Sequence, residues 1–230
     1  MKIDMDISLG EIEVRILGSL IEKELTTPEY YPLTLNSLTA ACSQKSNRNP
    51  VMNLKDTDVA RGLDRLRRAH LAWETQVAGS RTPRYEHNVQ GKWRLDQQAT
   101  AVLCVLLLRG PQTLGELRSR TGRMFEFKDL REVEAVLQGL AEGESGPLVV
   151  ELPRLPGHKE SRFMHLLAGE PDMESVQVAL APEPAVVQIV AENERIEDLE
   201  REVQVLRDEL AGLKTRFEDF KKLSFDSRYG

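Results

Sequence analysis

Apolar positions in the first part of the chain follow two periods in succession. A stripe beginning at Leu9 recurs every three to four residues, as a helix requires, and prolines end it. Later positions alternate between apolar and polar, as in strands. The predicted elements are a first helix from residue 9, a short helix at 35–42, a third helix at 56–70, and strands at 71–77 and 84–89. Three helices followed by a β-hairpin is the order of a winged helix-turn-helix unit.

The same order recurs further along the chain. Helices are predicted at 101–108, around Leu114 and at 129–140, and strands are predicted at 148–152 and 162–167. An apolar pair, Leu35 and Leu38, matches Leu114 and Leu117 at an offset of 79 residues. The tetrapeptide Arg84–His87 matches Arg162–His165 at an offset of 78. Because two separate pieces give nearly the same offset, we expect a tandem repeat.

Three of the predicted helices carry capping signals. Ser8 with Glu11, and Thr113 with Glu116, have the spacing of a capping box. Asp96 precedes the apolar helix of the second half and is a candidate N-cap. These residues predict where each helix begins.

A different apolar period marks the last part of the chain. Steps of three and four alternate without a break, with β-branched residues at heptad position a and Leu at d, a pattern that favours a parallel two-stranded coiled coil. A single amphipathic helix that folds back on the domains is the alternative. The predicted dimerisation residues are Ile196, Leu199, Val203, Leu206, Leu210, Leu213, Phe217 and Phe220.

The predicted architecture is therefore mainly α with small β-hairpins, in the α+β class. It consists of two tandem winged helix-turn-helix domains at 1–92 and 93–168, a linker at 169–186 and a C-terminal coiled-coil helix at 187–223.

Charge is distributed unevenly along the chain. The net charge of −6 divides into +2 for residues 1–95, −1 for 96–167 and −7 for 168–230, whereas residues 45–95 alone carry +6. The overall acidity therefore does not exclude nucleic-acid binding by the first half. No run of 18 apolar residues and no signal-peptide segment is present. Since two cysteines do not make a disulfide framework, we expect a cytoplasmic protein.

A basic stripe follows the outer face of the predicted third helix. Arg61, Arg65 and Arg68 lie opposite its apolar positions, which suits the recognition helix of a helix-turn-helix domain. Asp64 can pair with Arg61 or Arg68, so an ordinary solvated charged face is the alternative. Residues before the helix and at the hairpin could add contacts to phosphates. The full predicted DNA-binding set is Lys45, Asn47, Arg48, Lys55, Arg61, Arg65, Arg68, Arg81 and Arg84.

The third helix of the second half has a different charge. It carries three acidic residues, Asp129, Glu132 and Glu134, against two basic residues, Lys128 and Arg131, so it would repel phosphate. That helix is predicted to contact a protein partner or the other domain.

Enzymatic chemistry has little support in the sequence. The four histidines lack metal-ligand spacing, neither cysteine has a charged neighbourhood, and no phosphate-binding or nucleophile-elbow motif occurs. His87 and His165 occupy equivalent repeat positions and are predicted to be buried structural residues. No catalytic residue, metal or cofactor is predicted.

Several longer segments resemble a known family. The segments 22–24, 27–36, 44–52 and 83–87, together with Phe125 and 162–166, are similar to signatures of the YceH family of uncharacterised bacterial proteins. The resemblance spans about residues 8–167 and implies a tandem winged-helix fold. It implies no function.

These observations favour a DNA-binding, transcription-regulator-like protein that acts as a coiled-coil homodimer on double-stranded DNA. The alternative is a non-enzymatic scaffold that uses its winged helices to dock protein partners, as in chromosome-segregation proteins. The basic stretch favours DNA, and the acidic second half and tail favour the scaffold.

Overall fold

The computed structural model of the chain describes residues 8–76, 82–143, 146–154 and 160–170. The predicted coil with its eight dimerisation residues lies outside the described residues, as do Arg81 and all but the first two positions of the predicted linker.

The described residues contain seven α-helices and two antiparallel sheets, which confirms the mainly α class with small β-hairpins. In the first half these are α1 (Glu11–Thr26), a 3₁₀ turn (Pro28–Tyr30), β1 (Leu33–Thr34), α2 (Leu35–Cys42), α3 (Asp56–Arg68), β2 (Ala72–Thr75) and β3 (Arg84–His87). In the second half they are α4 (Val89–Trp93), α5 (Gln97–Arg109), α6 (Leu114–Thr121), α7 (Leu130–Glu142), β4 (Val149–Leu152) and β5 (Arg162–His165). The elements that the pattern missed are the shortest ones, since β1 has two residues and α4 has five.

Two of the three predicted helix caps are present in the structure and one is not. Thr113 and Glu116 form the predicted capping box, and the Asp96 carboxylate accepts a hydrogen bond from the Ala99 amide at 2.8 Å. The box predicted at Ser8 was wrong, because α1 begins at Glu11 after Gly10 with no side-chain cap. The chain before α1 is instead held by the Leu9 amide, which donates to the Leu167 carbonyl at 2.7 Å.

The sequence repeat is visible in the hydrogen bonds of the two sheets. In the first half β3 lies between β1 and β2, and Leu33 pairs with Tyr85. In the second half an isolated bridge joins Gln112 to Phe163 at the corresponding position. The arginine that begins each matching tetrapeptide also makes the same contact, a hydrogen bond to a proline carbonyl. Arg84 donates to the Pro32 carbonyl at 2.7 Å, and Arg162 donates to the Pro111 carbonyl at 3.1 Å.

The hydrophobic core is shared by both halves, with α1 packed against α5. Gly18 permits this close approach, since a Cβ atom there would lie 2.8 Å from Leu108 Cδ2 and 3.1 Å from Leu107 Cβ. Gly62 does the same for α3 on α1, because its Cβ would overlap Ile16 Cδ1. Two glycines therefore allow two helices, α3 and α5, to pack closely on α1.

The two equivalent histidines are both buried, and their surroundings differ. His87 Nε2 lies 2.7 Å from the Glu24 carboxylate, and its Nδ1 accepts from the Val89 amide at 3.4 Å. Glu24 has a lowered pKa, chiefly because of the hydrogen bond from His87. His165 Nδ1 has no hydrogen-bond partner among the described residues, and burial lowers the pKa of His165 to about 4.

We expect Gly18→Ala to lower the free energy of unfolding by about 1–3 kcal/mol, because the added methyl group overpacks the α1–α5 contact. Gly139→Ala is the matched control, since Gly139 lies on the exposed face of α7 and nothing lies within 4 Å of the position that its methyl group would take. That change should raise stability by about 0.5–1 kcal/mol. Urea unfolding measures both. Equal effects of the two substitutions would contradict the close-packing account.

The stability of the protein should also fall as the pH is lowered from about 6.5 to about 4. In this window the unfolded chain binds a proton at His165 and the folded chain does not, so protonation favours unfolding by ~3 kcal/mol in total. His165→Leu should flatten this part of the pH profile. Urea unfolding of both proteins across the window tests the assignment, which fails if the two profiles keep the same slope.

Candidate nucleic-acid interface

Helix α3 presents one apolar face and one basic face. Val59, Leu63 and Leu66 are buried, whereas the predicted stripe of Arg61, Arg65 and Arg68 is exposed on the opposite side. The i, i+4, i+7 spacing therefore places three guanidinium groups along one side of the helix.

The three arginines of this stripe are not equally available. Arg65 forms an ion pair at 3.0 Å with Glu13, a buried residue of α1. Asp64 pairs at 3.5 Å with Arg67, and not with Arg61 or Arg68 as the sequence suggested. Arg61 and Arg68 make no ion pair with any described residue, so they are the cations of α3 that are left for a partner.

The start of α3 carries charges of both signs. Lys55 and Asp56 are exposed, and the Asp58 carboxylate accepts from the Lys55 amide at 3.2 Å. A carboxylate in the first turn of a helix satisfies amides that have no partner in the helix. Asp58 therefore has a structural role, and Lys55 is the basic group at this end.

Arg48, which was predicted to contact DNA, is instead buried inside the protein. Its side chain is fully buried, and its guanidinium donates to the Ala41 carbonyl at 3.0 Å and to both oxygens of the Glu22 carboxylate at 3.0 and 2.6 Å. It also donates to Gln44 Oε1 at 2.9 Å. Arg48 therefore fixes the loop from inside and has no exposed surface for a phosphate.

Arg15 of α1 is a second buried arginine that holds the loop between α2 and α3. It donates to the Cys42 carbonyl at 3.2 Å and to the Pro50 carbonyl at 2.6 Å. Its pKa is lowered, first by burial and second by the charge of Arg48. Sequence reasoning missed Arg15 because a single arginine in an apolar helix gives no signal of its carbonyl partners.

The Glu22 carboxylate balances one of these buried charges. Burial alone would raise its pKa, but the hydrogen bonds and the positive charge of Arg48 outweigh burial, so the pKa of Glu22 is lowered. Glu22 is thus ionised at neutral pH, as an ion pair requires.

The rest of the loop is held at its surface. The Asn49 amide donates to the Leu108 carbonyl at 2.9 Å, and Arg109 donates to Asn47 Oδ1. Lys45, Ser46 and Asn47 remain exposed. The loop is therefore fixed at its base and presents a short polar tip.

Arg84 also departs from the predicted interface. It is half-buried and donates to the Pro32 carbonyl, where it links β3 to the segment before β1. Its repeat equivalent does the same, so this contact belongs to the fold. The exposed part of the predicted set, within the described residues, is Lys45, Asn47, Lys55, Arg61, Arg65 and Arg68.

The second half presents a more acidic helix and a groove. Glu134 of α7 is exposed, and the Asp129 carboxylate caps the helix by accepting from the Glu132 amide at 3.0 Å. A groove of about 510 Å³ lies between the start of α5 and α7, lined among others by Leu95 and Val136.

Within the described ranges, neither the cysteines nor the side chains that could bind a metal form a reactive site. Burial raises the pKa of Cys42 to about 11 and raises that of Cys104 further, and both are free thiols. No group of three or more His, Cys, Asp or Glu residues in the described segments could hold a metal ion. None of the helices described there has the length and hydropathy needed to cross a bilayer.

Comparison with known proteins identifies relatives over most of the chain. The model of a family described as "Protein of unknown function, DUF480" matches residues 9–158. A UPF0502 protein of Geobacter sulfurreducens is 57% identical over 202 residues, which cover 88% of this chain and 91% of the relative. UPF0502 proteins of Geotalea uraniireducens and Vibrio atlanticus are 52% and 47% identical over 217 and 218 residues. These cover 94% and 93% of this chain, and 98% and 99% of the relatives.

We expect Arg48→Met to lower the free energy of unfolding by about 3 kcal/mol, because it leaves the Glu22 carboxylate, which is 14% exposed, with only Lys23 at 3.6 Å as a cationic partner. Lys45→Met, which removes an exposed cation from the same loop, should change stability by less than about 0.5 kcal/mol. Adding Glu22→Gln to Arg48→Met should recover part of the loss. Urea unfolding measures all three proteins. A phosphate-contact role for Arg48 would instead predict near-native stability for Arg48→Met.

Proposed function

This chain belongs to the DUF480 family, and we propose that it is a double-stranded DNA-binding protein of the transcription-regulator type, without enzymatic activity. In this proposal the two halves are tandem winged helices, α3 is the recognition helix, and the protein acts as a homodimer. The matched family and the UPF0502 relatives agree with the resemblance to the YceH family of uncharacterised proteins. None of them indicates a function.

The element order supports the winged-helix assignment. In the first half α1, α2 and α3 are followed by the β2–β3 pair, and the short β1 completes a three-stranded sheet. In the second half α5, α6 and α7 are followed by the β4–β5 pair. The third helix of such a unit is the one that enters the major groove in helix-turn-helix proteins.

The observation that carries the proposal is the exposed basic face of α3, where two of the three arginines keep their charge without an ion pair among the described residues. Arg61 and Arg68 lie on this face without an ion pair among the described residues. Exposed guanidinium groups of this kind bind phosphates and guanine edges. Lys45, Asn47 and Lys55 are exposed on the segment that leads into the helix and would extend the contact along the backbone.

The proposed dimer rests on the heptads of residues 187–223. A parallel coil would hold two α3 helices for two half-sites, which is the usual relation between dimeric regulators and their operators. Binding of two half-sites by one dimer raises affinity without new contacts in either half.

Docking of a protein partner on the second half is the alternative function. The groove between α5 and α7 and the exposed acid Glu134 favour it. Such a scaffold would not need Arg61 or Arg68, so substitution of these two residues separates the two proposals.

The test measures the binding of the full chain to random-sequence duplex DNA at increasing salt concentrations, with fluorescence anisotropy as the readout. We expect affinity to fall steeply with salt, and Arg61→Glu/Arg68→Glu to weaken binding and lower the salt slope by about 2, since each phosphate contact contributes about 0.9. Arg123→Glu/Arg131→Glu is the matched control. It makes the same change in net charge at two exposed arginines of the second half.

Equal losses in the two double variants would mean that only net charge matters, and would reject α3 as the DNA-binding helix. Absence of binding at about 50 mM salt would reject the DNA proposal altogether and favour the scaffold.

A further inference from the structure

Two arginines of the second half lie where the loop between α2 and α3 meets the corner between α5 and α6. Arg109 is the last residue of α5 and donates to Asn47 Oδ1 of the loop. Arg120 of α6 donates to Gln112 Oε1, and Gln112 itself is pinned to Phe163 by two backbone hydrogen bonds. Both guanidinium groups therefore use neutral amide oxygens as hydrogen-bond acceptors.

The carboxylates of this region are already engaged by other cations. Glu22 is bound by both terminal nitrogens of Arg48. One oxygen of Glu116 lies 2.6 Å from Arg162 and also accepts from the Thr113 amide, and its other oxygen lies 3.3 Å from Arg120. Three arginines, Arg48, Arg120 and Arg162, thus share two carboxylates, and Lys23 lies 3.6 Å from Glu22 as well. Arg109 forms no ion pair with a described residue.

The charge of Arg109 is destabilised by its surroundings. It is half-buried, and its pKa is lowered, first by burial and second by the positive charge of Arg120. A partly desolvated guanidinium beside a second one is stabilised by an anion that contacts both. Because Asn47 accepts from Arg109 through its oxygen, its amide nitrogen is left with protons to donate.

The first half has no cation at the two positions that the repeat offset aligns with this pair. At the offset of 79 residues, Arg109 corresponds to Tyr30 and Arg120 corresponds to Ala41. The first half keeps the framework contact of Arg84 with Pro32 and dispenses with a basic pair at this corner. The basic pair is therefore specific to the second half.

We propose that Arg109 and Arg120, together with the side-chain amide of Asn47, form a binding site for a phosphate group, either free inorganic phosphate or a phosphate of a nucleic-acid backbone. The planar guanidinium group matches two oxygens of a phosphate at once, which favours phosphate over chloride. The site uses no residue of α3 and does not depend on DNA binding by that helix.

The first experiment titrates inorganic phosphate into the full chain by isothermal calorimetry, in a phosphate-free buffer of low ionic strength. We expect Arg109→Gln to weaken phosphate binding by about tenfold or more, since it removes a charged donor. Arg109→Lys keeps the charge and loses the fork, and should fall between Arg109→Gln and the unaltered protein. Arg131→Gln is the control, because it removes the same charge from an exposed position of α7.

Folding of the variants is checked by urea unfolding without phosphate. Arg109→Gln should be at least as stable as the unaltered chain, since it removes the repulsion with Arg120, whereas phosphate should stabilise the unaltered chain more than the variant.

The second experiment measures duplex DNA affinity of the same variants. Phosphate binding that depends on Arg109 supports the site and identifies free phosphate as sufficient. No phosphate binding, with DNA affinity that falls in Arg109→Gln and not in Arg131→Gln, supports the site with the DNA backbone as its source. Equal behaviour of these two variants in both experiments overturns the proposal. Phosphate binding without any DNA binding would reject the regulator proposal and leave the phosphate site intact.

Discussion

The close contact between α1 and α5 at Gly18 is the constraint on which the rest of the structure depends. Each half of this chain alone has a small apolar core, and each gains by burying its long apolar helix, α1 or α5, against that of the other. The contact needs a residue without a side chain, because Leu107 and Leu108 occupy the space that a Cβ would take. With α1 fixed in this way, its other faces are free to position α3 and the loop that precedes α3.

Helix α1 holds that loop with charges that are costly to bury. Arg15 and Arg48 are both buried, and each takes backbone carbonyls of the segment 41–50 as acceptors. Within the described part of the chain, Glu22 is the one carboxylate that pairs directly with Arg48. Burying guanidinium groups does not by itself stabilise a fold, but it penalises any other path of the loop, which would leave these donors without acceptors. The polar tip that carries Lys45 and Asn47 is therefore presented in one defined place.

Periodic features of the sequence predicted much of this arrangement. The 3.6-residue period gave α3 and its basic face, the capping box at Thr113 gave the start of α6, and the repeated tetrapeptide gave the equivalence of β3 and β5. The errors fell on residues whose environment is set by distant partners. Arg48 meets Glu22, which lies 26 residues earlier, and Arg84 meets a carbonyl 52 residues earlier. A basic residue in a polar loop has the same local pattern whether it faces solvent or a buried carboxylate. Pattern alone therefore predicted phosphate contacts at two positions where the fold uses the charge internally.

The two halves of the repeat have diverged in how they use their cations. In the first half Arg48 pairs with Glu22 and Arg65 pairs with Glu13, whereas Arg15 and Arg84 donate to backbone carbonyls. Arg61 and Arg68 are left without an ion pair among the described residues, on the outer side of α3. In the second half α7 has lost such a face, while the corner at Arg109 and Arg120 has gained more positive charge than its carboxylates balance. A charge that the fold neutralises is explained by the fold, whereas one that it leaves uncompensated in a partly buried place needs an external anion to lower its energy. Among the described cations without a carboxylate partner, Arg61 and Arg68 lie in one place, the outer face of α3, and Arg109 lies in a second, the α5–α6 corner. The loop tip with Asn47 touches the second directly and leads along the chain into the first, so both would be served by a partner that carries several phosphates along one backbone.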